Sequence, residues 1–221
     1  MGEKVKVVLV IQNQNYEKWL ESAILTALAQ VIPDGVDYLI CGKDSGSTDG
    51  SPAIFQKYAA LYPDRFKYYP VGDVSQCVGI NVVLRSEPAD FYSFLNSDDM
   101  LFPQFIKERI EFFRAHPETE LLHGGAIYHE EDANGVTIRE SKWHSAGNTA
   151  ERLARWENPI CFPTQMIRKE VFEKIGFFDE SIENPFDFEF SQRAMRAGIV
   201  FGNLNTQSVF YRIWPGNRTN S

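Results

Sequence analysis

FYSFLNSDDMLFP, residues 91–103, sets five mostly apolar residues ahead of Asn96, Ser97, Asp98 and Asp99, after which apolar residues resume. Two adjacent carboxylates at the end of a strand fit two readings. The local one is that Asp and Ser begin turns and cap helices, and a helix is expected near Pro103. The other is a site at the carboxyl end of a buried strand. The neighbouring sequence separates them.

Upstream, the chain alternates. VKVVLVIQ (Val5–Gln12) is apolar on both faces, as a buried parallel strand is. From Tyr16 to Gln30, Trp19, Leu20, Ala23, Ile24, Ala27 and Leu28 recur at helical spacing. VDYLICG (Val36–Gly42) reads as a second strand. A helix follows, with Ser51 as cap and Pro52 at its first position. Phe66–Tyr69 is a short third strand, Gln76–Arg85 a helix and Phe91–Leu95 a fourth strand. This β-α-β-α order predicts a parallel, three-layer α/β/α arrangement. Three strand ends carry polar clusters: QNQN (Gln12–Asn15), KDSGSTDGS (Lys43–Ser51) and NSDD (Asn96–Asp99). In an open parallel sheet all three fall on one edge, where ligands bind.

Downstream the pattern is less regular. Ile106, Ile110, Phe112 and Phe113 suggest a helix ending near AHPE. Leu121–His129 reads as a strand, and EEDANGVTI as a hairpin turn into another. Lys142–Asn158 reads as an excursion with one helix. RKEVFEKIGFFDES gives a helix and loop, FDFEFSQRAMRAG a helix closed by Gly198, and SVFYRIW a strand. No repeat or low-complexity linker interrupts the 221 residues, so a single domain is expected.

Composition narrows the function. The formal net charge of −8 argues against a nucleic-acid backbone as partner. No run of about eighteen apolar residues predicts a membrane-spanning helix, and the N-terminus lacks a signal-peptide pattern. Cys41, Cys77 and Cys161 are isolated, which fits a reducing compartment. His116, His123, His129 and His144 show no metal spacing. The first strand is followed by neither GxGxxG nor a P-loop. The strand ends offer amides and carboxylates instead. Carboxylates admit a phosphate group only with a cation between, and Asp98 and Asp99 are candidates to hold Mg²⁺ or Mn²⁺. Asp44 either accepts a hydrogen bond from a base or ribose, or forms an Asx-turn before Gly46.

VVLVIQNQNYEKWLESAILTALAQ, DSGSTDGSPAIFQKYA, FYSFLNSDDMLFPQFI and RKEVFEKIGFFDESIENPFDFEFSQRAMRAG, in that order, resemble the glycosyltransferase family 2 domain of GT-A fold, from Val5 to about Thr219. The resemblance implies a nucleotide-sugar-binding half (about 1–100) and an acceptor-binding half (about 101–221). It implies transfer of a sugar from a nucleotide-diphosphate donor, a UDP-sugar first, to a glycan or lipid-linked acceptor. The setting would be cytoplasmic, at the inner membrane face by peripheral association, with an oligomer as one way to complete the acceptor site. Position by position, Asp44 would hold the uracil or ribose. Gln12, Gln14 and Asn15 would lie along the nucleoside, and Gln76 and Asn81 near the diphosphate. Asn96 would contact ribose, Asp98 would bind the metal and Asp187 would be the general base. Val78, Val82, Phe186 and Trp214 depart from the family pattern: Val78 and Val82 replace charged residues, Phe186 an acid and Trp214 a His. Those departures leave open a second reading, a nucleotide-sugar-binding or assembly module of the same fold without turnover. A nucleotidyltransferase is a third, opposed by the missing Gly- and Lys-rich phosphate loop.

Overall fold

The computed structural model describes residues 4–143, 145, 147–182 and 184–217. His144 lies outside them. Three βα steps and a fourth strand open the chain: β1 (Val5–Asn13), α1 (Glu17–Leu28), β2 (Val36–Asp44), α2 (Ser51–Leu61), β3 (Phe66–Pro70), α3 (Gln76–Ser86) and β4 (Phe91–Asn96). Then come β5 (Met100–Leu101), α4 (Phe105–Ala115), β6 (Leu121–Glu131), β7 (Thr137–Trp143), α5 (Thr149–Ala154), β8 (Met166–Arg168), α6 (Lys169–Ile175), α7 (Phe186–Arg196) and β9 (Phe201–Ile213).

Among the described residues one sheet runs β3-β2-β1-β4-β8-β6-β9-β5, with β7 on β6. It is parallel from β3 to β4 and again along β6–β9. Strand β8 enters antiparallel between β4 and β6. The period-two rule sorts the layers. Val7, Leu9 and Ile11 pack with α1, α2 and α4 through Leu20, Ile24, Phe55, Phe105 and Ile110. Val8 and Val10 pack with α3, α6 and α7 through Ile80, Val83, Phe172, Phe186 and Phe190. Both faces of β1 are thus covered, which is why its sequence is apolar throughout.

Several boundaries differ from the expectation. Helix α2 starts at Ser51 itself; Gly50 is the cap position, and Asp49 and Glu17 accept the Ser51 and Gly50 backbone N–H groups. Two short strands, β5 and β8, stand where no period was readable, because two or three residues carry none. Strand β9 begins at Phe201, well before SVFYRIW, and shifts register against β6 around Gly124–Ala126. A Cβ on Gly125 would stand 2.7 Å from the Trp143 carbonyl oxygen and 3.1 Å from that of Thr206, so glycine lets three strands meet there. The expected hairpin forms: Asp132 Oδ1 accepts from the Asn134 and Val136 backbone N–H groups, each at 2.8 Å. Among the described residues no helix is long and apolar enough to cross a membrane.

Candidate active site

The ends of β1, β2 and β4 lie in register, with Gln12 opposite Asn96 and Asn13 opposite Asp44. The polar clusters therefore share one edge, as a parallel order requires. Beyond it opens a cleft of about 600 Å³, the size of a small-molecule site. One wall carries Gln12, Gln14, Gln76, Asn96, Ser97 and Asp98. The facing wall carries Ile160, Cys161, Phe162, Phe186 and Asp187. Tyr128 and Tyr211, paired in register on β6 and β9, line it too, with Trp143 of β7. Asp98 and Asp187, far apart in sequence, thus face one space.

The acidic pair splits its roles. Asp98 lines the cleft, and its Oδ2 accepts from Trp214 Nε1 and Asn217 Nδ2, both at 3.2 Å. Asp99 is turned inward. Its Oδ1 accepts from the Arg212 backbone N–H at 2.9 Å and its Oδ2 from Asn96 Nδ2 at 2.8 Å. Burial pushes both carboxyls up, Asp99 well up because the charge of Asp98 adds to it. Arg212 gives limited relief: its Nε donates to the Asp98 backbone oxygen, and its guanidinium pairs with Glu131.

Asp187 sits in the first turn of α7, where the helix N-terminus favours negative charge. Burial nevertheless raises its carboxyl above the ordinary value, against the pull of the Asp187 and Phe188 backbone N–H groups. A carboxylate so placed is a better proton acceptor than an exposed one. Cys161 beside it is no nucleophile: burial and the charges of Asp99 and Asp187 push its thiol well up, so it stays protonated.

Other expected ligands lie outside the cleft lining. Asp44 makes the turn weighed in the sequence: its Oδ2 accepts from the Ser47 backbone N–H, and its Oδ1 from Asn13 Nδ2 and Ser47 Oγ. Asn15, at φ 60°, braces the same turn through Thr48. Asn81 is buried, joining α3 to the loop before α7: its Nδ2 donates to the Phe178 oxygen and Glu180, and its Oδ1 accepts from the Phe178 backbone N–H. The sequence reading missed Asn217, Tyr128 and Asn158, because their places depend on pairings between distant segments. For Tyr128 and Tyr211 a signal existed: each lies in a readable strand, but the register that joins them was not visible.

The donor set bears on a cation. Among the described residues no three His, Cys, Asp or Glu side chains cluster to make an all-protein cage. One cleft carboxylate, Asp98, is nonetheless enough for a hard divalent ion that takes its remaining ligands from phosphate oxygens and water. A cation there would relieve the strained acidic pair. The residues present fit that arrangement.

The family model for glycosyl transferase family 2 matches residues 7–176, so the chain belongs to that family. An uncharacterized glycosyltransferase of Nostoc sp. is 27% identical over 179 residues, covering 77% of this chain and 53% of the relative. The chain thus spans about half the length of that relative. In fold it is similar to S. aureus TarS 1-349 in complex with UDP-GlcNAc: TM-score 0.74, 18% identity, 98% of this chain and 61% of that one. It is also similar to the mannosyltransferase PcManGT of Pyrobaculum calidifontis in complex with GDP-Man and Mn²⁺: TM-score 0.65, 13% identity, 91% of this chain and 55% of that one. The sheet and its helices are those of GT-A glycosyltransferases.

Proposed function

We propose that the chain is an inverting glycosyltransferase that moves a sugar from a UDP-sugar to a hydroxyl of a glycan or lipid-linked acceptor. The observation that carries the reading is the shared cleft of Asp98 and Asp187. Gln12, Gln14 and Asn96 lie along the nucleoside side, with Gln76 nearer the diphosphate. Asp187 takes the proton of the acceptor hydroxyl as that oxygen bonds to the anomeric carbon. The bond from that carbon to the diphosphate breaks, and UDP leaves on the opposite side. Asp98 would hold Mn²⁺ or Mg²⁺, which would supply charge stabilisation for the departing diphosphate. Asp99 holds the Arg212 backbone and Asn96 in place. The apolar facing wall excludes water, which strengthens each charge interaction within. The nucleotide-sugar half takes residues to about 100 and the acceptor half the rest, in the cytoplasm and at the inner membrane face for a lipid-linked acceptor.

A thermal-shift screen against UDP-, GDP- and dTDP-sugars with Mn²⁺ tests donor binding. At about a hundredfold excess over Kd the true donor adds about 2.7 kcal/mol. A flat response to all three defeats the reading. The second reading is a donor-binding module without turnover, motivated by Val78 and Val82, Phe186 and Trp214, where the family pattern has charged residues, an acid and a His. Donor hydrolysis separates the two, since the module binds UDP-sugar and releases no UDP.

A further inference from the structure

We propose that Gln12 selects the nucleotide base: its Oε1 accepts the imide N–H of a uracil-type ring, and the buried Asp99 fixes that polarity through Asn96. The inference rests on the donor reading above and names how the base is chosen.

Three side chains form one chain of hydrogen bonds. Asp99 is buried and accepts on both oxygens: Oδ1 from the Arg212 backbone N–H at 2.9 Å, Oδ2 from Asn96 Nδ2 at 2.8 Å. With its NH₂ group turned to Asp99, Asn96 presents Oδ1 to Gln12 and accepts from Gln12 Nε2. Gln12 Oε1 is the atom left over. It is buried and has no hydrogen-bond partner among the described residues. A carboxylate only accepts, so turning over either amide would set oxygen against oxygen. The polarity of Gln12 is therefore set two side chains away, by a carboxylate outside the cleft lining.

The orphan acceptor belongs to the cleft. Gln12 and Asn96 both line it, and Gln12 sits on β1 in register with β2 and β4, a rigid mount. Nε2 reaches across to β4, so Oε1 points away from that strand. Asp44, the residue that the resemblance gives to the base, has both oxygens engaged in its own turn and lies outside the lining. A buried acceptor with nothing to accept is costly, and a ligand N–H that meets it removes the cost. A ribose hydroxyl gains nothing from a fixed polarity, because it rotates to donate or accept. A base edge cannot rotate: uracil offers an imide N–H, and cytosine offers a lone pair on the same ring nitrogen. The pinned amide therefore reads the base.

Calorimetry with UDP, CDP and UDP methylated on the imide nitrogen, each with Mn²⁺, tests this. Wild type is expected to bind UDP about tenfold more tightly than either of the others. Asp99→Asn separates a positioning residue from a merely structural one. The Arg212 backbone N–H keeps the oxygen of the new amide, whose NH₂ group then faces Asn96. Both amides turn over, and Gln12 presents Nε2. The UDP-to-CDP affinity ratio is expected to fall by about tenfold or more; a structural loss would weaken both nucleotides alike, and their shared diphosphate cancels any effect on the cation. Gln12→Leu is expected to bind UDP and CDP equally, with UDP weakened. A wild type that binds CDP or methylated UDP as tightly as UDP, an unchanged ratio in Asp99→Asn, or a UDP preference kept in Gln12→Leu overturns the proposal. The methylated ligand needs no variant, so the test stands even if a variant fails to fold. UDP bound without discrimination defeats this inference alone, whereas no UDP binding to wild type defeats the donor reading beneath it.

Discussion

The two walls of the cleft are built by different means. The wall at the ends of β1, β2 and β4 comes from consecutive βα steps in unbroken register, and its side chains bind one another: Gln12 to Asn96, Asn13 to Asp44, Asn96 to Asp99. The facing wall is assembled from β6, β7, β9, the 158–162 stretch and α7, and it is largely aromatic and apolar around one carboxylate, Asp187. A polar, self-bonded wall suits a ligand of fixed chemistry such as a nucleotide. An apolar wall with one base suits a reaction that must keep water out while accepting varied partners. The contrast teaches that the polar half of the site is set by local βα structure and the apolar half by long-range pairing.

The largest effect that can break the contrast is at Asp187. Asp187→Asn keeps the side chain's shape and removes its basicity, so transfer falls by roughly 10²–10⁴-fold while UDP affinity holds, as steady-state kinetics and calorimetry will show. Its raised pKa also sets the acid limb of the rate profile above the ordinary value of 3.8. Asp98→Ala acts on the other wall. Mn²⁺-dependent UDP binding weakens about 10–100-fold, the worth of a charged contact, measured by titration.

A third effect concerns the support of the apolar wall. His123 on β6 is buried between Thr149 Oγ1 at 2.7 Å and Ser145 Oγ at 2.5 Å, which ties Ser145 and Thr149 to the sheet. Burial, then the charge of Arg109, lowers its pKa from 6.5 to about 4. The unfolded chain therefore takes up the proton first as pH falls. Stability is full above pH 6.5 and declines toward pH 4, by on the order of 3 kcal/mol. Asp98, Asp99 and Asp187, with raised values, contribute with the opposite sign. The difference between wild type and His123→Gln in urea melts across this range isolates the histidine. The smallest effect sharpens the line between ligand and scaffold: Asn81→Ala leaves the buried Phe178 N–H and carbonyl unpaired and costs about 2 kcal/mol. Its urea midpoint drops while UDP affinity stays unchanged.

The same contrast governs what could be read from sequence. Strands β1, β2 and β4 are legible as short apolar runs, helix α1 by its helical spacing and helix α2 by Ser51 and Pro52, and their parallel order brings the polar clusters to one edge without further knowledge. Asp98 and Asp187 follow from motif order. Asp44, Asn15 and Asn81 are polar residues at expected positions, yet their hydrogen bonds serve turns and packing. Residue type at a strand end does not reveal which way a side chain turns. Strand β8, the early start of β9 and the roles of Asn217 and Tyr128 depend on pairings between distant segments, and no local pattern encodes them.

A single set of titrations probes both walls together: UDP into wild type, Asp98→Ala and Asp187→Asn, each with and without Mn²⁺. If Asp98 anchors the diphosphate through a cation and Asp187 serves only the acceptor, UDP binds wild type and Asp187→Asn alike, requires Mn²⁺ in both, and is largely lost from Asp98→Ala. Equal, cation-independent binding in all three proteins, or binding lost with Asp187 and kept without Asp98, contradicts that division of labour.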